Sequence, residues 1–306
     1  MIKQTLYFGN PAHLYMRNQQ LCISMNKASE TEDENKIITK HIEDIGVIVL
    51  DNPQITLTHA LIETLVANNT VLITCDSTHL PSGLLMPLSG NTIQNERFRA
   101  QLDATEPLKK QAWAQTIIQK IKNQQAVLQG FKLEATYLTP LHKNVKSGDS
   151  NNCEATAAAF YWQRLFAHIP DFTRKREGIP PNNYLNYGYA LLRATMARSL
   201  VGAGLLPTLG IHHHNRYNAY CLSDDLMEPY RPYVDQVVYN LIKEHGTNED
   251  IPKEVKTILL KIPAMDVMLD GERSPLMNAT QRTAVSLVKC FTGEQRKILY
   301  PEMIWA

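Results

Sequence analysis

The sequence lacks the features that would mark a membrane, secreted or disulfide-stabilised protein. No stretch approaches the roughly 20 uninterrupted apolar residues of a bilayer span, and the first residues lack the basic-then-apolar order of a signal peptide. The five cysteines are far apart and contain no CxxC pair, which argues against a disulfide framework or a structural zinc site. We therefore expect a cytoplasmic protein that does not contact a membrane.

The sequence also has no strong excess of charge of one sign, since 31 Lys and Arg stand against 30 Asp and Glu. The balance is uneven locally, because the stretch from residue 107 to residue 147 holds one acid, Glu134, and seven lysines. These are Lys109, Lys110, Lys120, Lys122, Lys132, Lys143 and Lys146. Such a stretch is able to bind a polyanion, and the alternative is a solvated helix face.

The pattern of the chain changes near residue 88. Before it, short β-type runs with turn spacing predict an antiparallel, sandwich-like sheet, interrupted by one helix that Thr58 can cap. The predicted strands are Thr5–Phe8, Leu14–Arg17, Leu21–Met25, Val47–Leu50 and Thr70–Thr74. We interpret the acidic run Glu30–Glu34 as an exposed loop, and Asp76–Asn95, where turn formers crowd, as a linker.

After the linker, apolar residues recur almost everywhere at helical spacing. Trp113, Ile117 and Ile121 form one stripe of a helix that Gly130 ends. Further helices are predicted at Cys153–His168, Asn183–Ala203, Asp224–His245, Ile251–Ile262 and Asn278–Phe291. The fold class is therefore α+β, with an N-terminal β-rich domain over residues 1–88 and a larger all-α domain over residues 89–306.

Residues able to carry chemistry lie in the helical part. Three consecutive histidines, His212 to His214, cannot all point into one site, and an exposed cluster is the simpler alternative. Asp225 and Glu228 follow at a spacing that puts both on one helix face, where they repel unless a cation or proton lies between them. Helix-dipole interaction explains Asp225 as well as metal binding does, but it suits Glu228 less well. Pro229 and Pro232 predict an irregular helix at this point.

A hard divalent ion needs a further carboxylate, and Glu154 is our candidate. It begins a small-residue helix face that a neighbouring helix can approach closely, although a surface glutamate that complements the helix dipole is the alternative. Two glutamates and one imidazole suit Mg²⁺ or Mn²⁺. Arg174, Arg176 and Arg231 follow in the chain at positions suited to holding phosphates, with a solvated loop as the alternative.

Three segments together resemble a known family. They are CEATAAAFYW, the helix NNYLNYGYALLRATMARSLVGAGLLPTLGIHH, and DDLMEPYRP. This combination is similar to the CRISPR-associated spacer-acquisition integrase, a metal-dependent DNA endonuclease and transesterase. In detail it is most similar to the versions that accompany type II systems. The resemblance spans most of the chain.

The resemblance implies that Glu154, His213 and Glu228 ligate a catalytic Mg²⁺ or Mn²⁺, with Asp225 close by, and that Arg174, Arg176, Asn182 and Arg231 contribute to DNA binding or structure. It implies no role for His212 or His214. It further implies double-stranded DNA as spacer precursor and as CRISPR repeat, a homodimer formed largely through the β-rich domain, and a small dimeric partner protein.

Two other functions are kept as alternatives. A metal phosphohydrolase of the HD type expects a His-Asp dipeptide, whereas Asn215 follows His214 here. A DNA-binding scaffold without catalysis would be favoured if Glu154 or Glu228 were missing, and both are present. No GxxxxGK[ST] motif occurs, so a nucleotide-driven reaction is not indicated.

Overall fold

The computed structural model describes residues 3–25 and 37–305. The acidic run Glu30–Glu34 lies outside this described part. The chain divides into two compact units, Met1–Gly90 and Asn91–Ala306. A β-sheet region is followed by a mostly helical region, which confirms the predicted α+β class.

In its described residues the N-terminal unit contains two four-stranded sheets and one α-helix. Its elements are β1 (Gln4–Phe8), β2 (His13–Arg17), β3 (Gln20–Ser24), β4 (Ile38–His41), β5 (Ile45–Leu50), β6 (Thr56–Leu57), α1 (His59–Ala67), β7 (Val71–Cys75) and β8 (Pro81–Leu85). Side chains of both sheets and of α1 form one core, which includes Leu14, Ile48, Leu61, Leu65 and Leu72. Burying these apolar side chains is what holds the unit together.

The strand pairing differs between the two sheets. In the sheet β4-β3-β2-β6 the longer strands are antiparallel, as the sequence predicts. In the sheet β1-β5-β7-β8 the first three strands are parallel, so the antiparallel prediction is wrong there. The reason is α1, because a helix between β5 and β7 returns the chain to the same end of the sheet.

The C-terminal unit is built from nine helices and one hairpin in its described residues. These are α2 (Gln94–Leu102), α3 (Glu106–Gly130), α4 (Leu138–Lys143), α5 (Cys153–Leu165), α6 (Asn182–Gly202), α7 (Cys221–Met227), α8 (Arg231–His245), α9 (Lys253–Leu259), β9 (Asp266–Leu269), β10 (Glu272–Pro275) and α10 (Leu276–Phe291). The antiparallel β9 and β10 are an addition to the predicted all-α domain. Their turn is Asp270-Gly271, with φ of 55° and 78°, a pair that favours hairpins.

Two further predictions are corrected by the structure. The segment interpreted as a linker contains β8, which pairs antiparallel with β7. The predicted helix Asp224–His245 is divided into α7 and α8 by a 3₁₀ turn at Glu228–Tyr230, where Pro229 lacks a donor for a continuous α-helix. Within the described residues, we find no helix with the length and apolarity that crossing a membrane requires.

Candidate metal and DNA site

Helix α3 carries a buried polar face beside its apolar stripe. Thr116, Lys120, Asn123 and Gln124 are all at most 9% exposed and recur every three or four residues. Burying a polar group costs free energy unless it forms a hydrogen bond or an ion pair. Such a face therefore indicates an internal polar site.

Lys120 brings two carboxylates of distant chain segments together. Its Nζ donates to Glu154 Oε1 at 2.7 Å and lies 2.6 Å from Glu228 Oε2. Burial on its own lowers the pKa of Lys120, but the charges of Glu228 and Glu154 outweigh burial and raise it. Lys120 is therefore a buried ammonium ion between two carboxylates, which fits neither the solvated helix face nor the polyanion-binding surface that the sequence suggested.

Glu228 is fixed by the irregular turn between α7 and α8. Asn123 Nδ2 donates to the Pro229 carbonyl at 2.7 Å and so holds this turn against α3. Arg231 Nε forms a 2.9 Å ion pair with Glu228 Oε1. Burial by itself raises the pKa of Glu228, but Arg231 and Lys120 outweigh it and keep the pKa below its usual value. Glu228 is thus a buried but ionised carboxylate.

His213 is oriented by Asp225, which is completely buried. The Asp225 carboxylate accepts the backbone N–H of His212 at 2.9 Å and contacts His213 Nδ1 at 2.5 Å. The hydrogen bond with Asp225 raises the pKa of His213, with a smaller opposing effect of burial. Because an ionised carboxylate only accepts, Nδ1 carries the proton, and in the neutral ring Nε2 is then the atom able to ligate a metal.

Gly210 allows the close approach of this loop to α7. A methyl group at this position would lie 2.3 Å from the His213 carbonyl oxygen and 2.8 Å from Asp225 Oδ2. Any side chain here would push the histidine and the aspartate apart, which explains the glycine three residues before His213.

The other two histidines have separate environments. The ring of His212 stacks on the buried Trp113 with a centroid distance of 4.2 Å and an interplanar angle of 1°. His214 is exposed, and its Nδ1 contacts the His212 carbonyl oxygen. The three consecutive histidines therefore point to different places, as their spacing predicts.

Loop 173–179 is held by Asn182, which is completely buried. Its Oδ1 accepts from Arg174 Nη1 at 2.9 Å, and its Nδ2 donates to the carbonyls of Thr173 and Ile179. These hydrogen bonds give Asn182 a structural part, which is one of the two roles that the resemblance implies for it. Arg176 is exposed, and its side chain is available to an anion.

Asp235 is a further buried carboxyl, and it lines a cavity together with Glu228. Asp235 accepts from Tyr161 at 2.9 Å and from Tyr189, which ties α8 to α5 and α6. Burial raises the pKa of Asp235 to about 7, with these hydroxyls and two arginines opposing it.

The guanidinium groups of Arg231 and Arg174 lie 4.8 Å and 5.2 Å from the Tyr189 ring centroid. The cavity has a volume of about 250 Å³, and its lining includes Lys120, Glu154, Arg174, Glu228, Arg231 and Asp235.

The structure thus brings part of the predicted site together in one cavity. Glu154 and Glu228 meet at Lys120, and Arg174 and Arg231 line the same cavity, whereas Asp225 contacts His213 instead of facing the glutamates. No cluster of three or more His, Cys, Asp or Glu at metal-binding spacing occurs in the described ranges. Lys120, Asn123 and Trp113 were not predicted as site residues, although all three lie on α3 at helical spacing.

The donor set nevertheless suits a hard divalent cation. The two glutamates already converge on one positive charge, and His213 presents an imidazole nitrogen whose tautomer Asp225 fixes. Oxygen ligands with one imidazole are the chemistry of Mg²⁺ and Mn²⁺ sites. Glu154 and Glu228 share one cavity and His213 lines another, so these three stay candidate ligands.

Comparisons with known proteins show which family the sequence resembles. The family model described as CRISPR associated protein Cas1 matches residues 6–270. A CRISPR-associated endonuclease Cas1 of Neisseria meningitidis serogroup C is 34% identical over 307 residues, covering 99% of this chain and 97% of the relative.

Two solved structures share the fold. A casposase bound to integration product has a TM-score of 0.78 at 20% identity, covering 97% of this chain and 92% of its own. A Cas6-RT-Cas1–Cas2 complex has a TM-score of 0.71 at 19% identity, covering all of this chain and 36% of that one. At these identities the likeness shows the fold alone. The family model and the Neisseria relative, which both match most of the sequence, show that this chain belongs to the Cas1 family of CRISPR-associated proteins.

Proposed function

We propose that this protein is a metal-dependent DNA endonuclease and integrase that inserts spacer DNA into CRISPR arrays. The observation that carries the proposal is the convergence of Glu154 and Glu228 on one ammonium group in a cavity lined by Arg174 and Arg231. Support also comes from the relative named an endonuclease and from the fold shared with a casposase bound to its integration product.

Each residue has a distinct part in the proposed reaction, in which a DNA 3′-hydroxyl attacks a phosphodiester, a new P–O bond forms, and the bond from phosphorus to the 3′-oxygen of the target strand breaks. Glu154, Glu228 and His213 would hold Mg²⁺ or Mn²⁺, and Asp225 keeps the proton of His213 on Nδ1. The ion, when bound, would supply positive charge that activates the 3′-hydroxyl and offsets the charge of the phosphate oxygens.

The arginines bind and orient the substrate. Arg174 and Arg231 carry planar guanidinium groups, which suit phosphate oxygens. Contacts between these groups and phosphates would not depend on the identity of the bases. The exposed Arg176 adds attraction to the backbone, so DNA binding is expected to weaken as salt increases. Exchange of one phosphodiester for another is nearly isoenergetic, which agrees with the missing nucleotide-binding motif.

The proposed assembly follows the family resemblance. We propose that residues 1–88 form the homodimer contact, that residues 89–306 carry catalysis, and that a small dimeric Cas2-type protein joins two such dimers in the cytoplasm. The Cas6-RT-Cas1–Cas2 complex supports this partner, since it contains a chain of the same fold.

The test is strand transfer of a short duplex with free 3′-hydroxyl ends into a supercoiled plasmid that carries a repeat. It is run with Mg²⁺ or Mn²⁺ and the partner protein. Wild type is expected to join the DNAs, and His213→Ala is expected to bind DNA without joining it. His214→Ala is the matched control, because His214 is exposed and next to the site. A wild type that binds DNA but neither joins nor nicks it would instead indicate a scaffold.

A further inference from the structure

The charges around Glu154 and Glu228 are already balanced. The ammonium of Lys120 contacts both carboxylates. The guanidinium of Arg231 contacts Glu228. Arg174 adds a further positive charge to the lining of the same cavity. The cavity is therefore neutral or positive before any divalent ion enters it.

A divalent cation entering this cavity meets the Lys120 ammonium between the same two oxygen atoms that would ligate it. Both cannot occupy that place, since like charges at contact distance repel strongly in a poorly solvated site. Either the ammonium leaves, or an additional anion offsets the new charge. A DNA phosphate, which Arg174 and Arg231 are positioned to bind, is such an anion.

We propose that Lys120 is an internal counter-cation that holds Glu154 and Glu228 together in the absence of DNA and opposes metal binding until a phosphate enters. The inference rests on the proposed metal-dependent function and adds a regulation to it. Metal and DNA then bind cooperatively, and by linkage each raises the affinity of the other. Only a small fraction of the protein then binds the metal ion in the absence of DNA.

Gln124 gives the displaced ammonium a place to go. It lies one helical turn beyond Lys120 on α3 and lines the same cavity. Its side-chain oxygen is buried and has no hydrogen-bond partner among the residues that the structure describes. A lysine has a flexible stem and can move its charge within one turn, so Lys120 can exchange the carboxylates for this acceptor.

The experiment measures Mn²⁺ binding by the loss of the free-ion electron paramagnetic resonance signal, with the full chain and without turnover. A short duplex with 3′-dideoxy ends serves as the DNA, and binding by DNA alone is subtracted. Lys120→Met removes the ammonium at similar length. Lys122→Met is the matched control, since Lys122 is an exposed lysine of the same helix.

The variants are expected to change the affinity for Mn²⁺ in opposite directions. Without DNA, Lys120→Met binds Mn²⁺ at least about ten-fold more tightly than wild type, and Lys122→Met binds like wild type. Gln124→Leu, which removes the acceptor, binds more weakly than wild type. DNA tightens Mn²⁺ binding to wild type at least about ten-fold, and it tightens binding to Lys120→Met much less.

Equal affinities of wild type and Lys120→Met without DNA would overturn the role of Lys120 and leave the proposed function standing. A lack of Mn²⁺ binding by every protein, with and without DNA, would overturn both. If Lys120→Met does not fold, wild type decides alone: an affinity that DNA leaves unchanged contradicts the proposal, and an increase supports it.

Discussion

Glu228 and Asp235 are two buried carboxyl groups in one cavity, and their pKa values move in opposite directions. Glu228 contacts two cations, Lys120 and Arg231, and its pKa is lowered. Asp235 contacts two tyrosine hydroxyls, and its pKa is raised to about 7. Burial is common to both, so the charged partners decide which carboxyl remains ionised.

The difference separates a reactive group from a structural one. An ionised carboxylate that gives up an internal cation can accept an external one, whereas a carboxyl that is half protonated near neutral pH mainly ties helices together. Asp235 joins α5, α6 and α8 through Tyr161 and Tyr189. Glu228 lies on an irregular turn with positive groups on both oxygens.

The largest expected effect comes from Glu228→Gln. The substitution keeps the shape of the side chain but leaves Lys120 and Arg231 with one carboxylate fewer. We expect the joining rate to fall at least about 1000-fold, from the loss of a metal ligand. The free energy of unfolding should fall by roughly 3–5 kcal/mol, as when one partner of a buried ion pair is removed.

Strand transfer and urea unfolding measure the two effects. Glu244→Gln, an exposed glutamate near the end of α8, is the control and should change neither. If Glu228→Gln joins DNA within about ten-fold of wild type, Glu228 is not a metal ligand.

The next effect is a pH dependence that Asp235 confers on stability. Its pKa is about 7 in the folded protein, against 3.8 for an aspartate that is fully solvated. Between these values the folded state keeps a proton that the unfolded state has lost. The contribution of this group therefore falls as pH rises from about 4 to 7 and is constant above that range.

For Asp235 the loss between pH 5 and pH 8 is at most about 3 kcal/mol, measured by urea unfolding. Asp235→Asn should remove this part of the slope, because the amide does not titrate. The exposed Asp250→Asn should retain the slope of wild type. An unchanged slope in Asp235→Asn would show that the buried carboxyl is ionised throughout.

A smaller effect is expected from Arg231→Lys, since Arg231 pairs with Glu228 and lies over the ring of Tyr189, the partner of Asp235. Lysine preserves the charge opposite Glu228 but loses the planar contact over the Tyr189 ring. We expect the free energy of unfolding to fall by about 1–2 kcal/mol. Arg296→Lys, at an exposed position, serves as control. No change in stability would mean that charge alone matters at position 231.

The smallest effect is expected from Tyr161→Phe. The substitution removes one of the two hydroxyls that bond Asp235 and leaves the Glu228 contacts intact. The free energy of unfolding should fall by about 1 kcal/mol, and the joining rate should stay within about two-fold. Tyr137→Phe, a half-exposed tyrosine, is the control. A large loss of joining would show that the two carboxyl groups are coupled.

Parts of the fold follow from local patterns. Short runs of β-forming residues bounded by turn formers located β1, β2, β3, β5 and β7 to within a few residues. The prolines after Glu228 predicted an irregular helix for a covalent reason that needs no tertiary information. The strand β8 was missed because it begins Pro-Ser-Gly, which are turn formers.

Lys120 could not be identified from local patterns. A lysine among other lysines on a helix is typical of a solvated face. Its burial depends on Glu154 and Glu228, which reach it from distant segments of the chain. Asn182 is a second such residue, because a polar residue near arginines in the sequence suggests a contact with ligand. Its structural role depends on hydrogen bonds to the loop that closes around it, which the sequence does not show.

The stack of His212 on Trp113 allows tryptophan fluorescence to report on the loop that carries the three histidines. Trp113 is 1% exposed, with the His212 ring parallel to it and the His213 ring at its edge, 5.4 Å between centroids. The loop cannot move without changing the surroundings of this indole, so its emission reports the position of His213 without an added label. Trp162 and Trp305 supply a background that Trp113→Phe identifies.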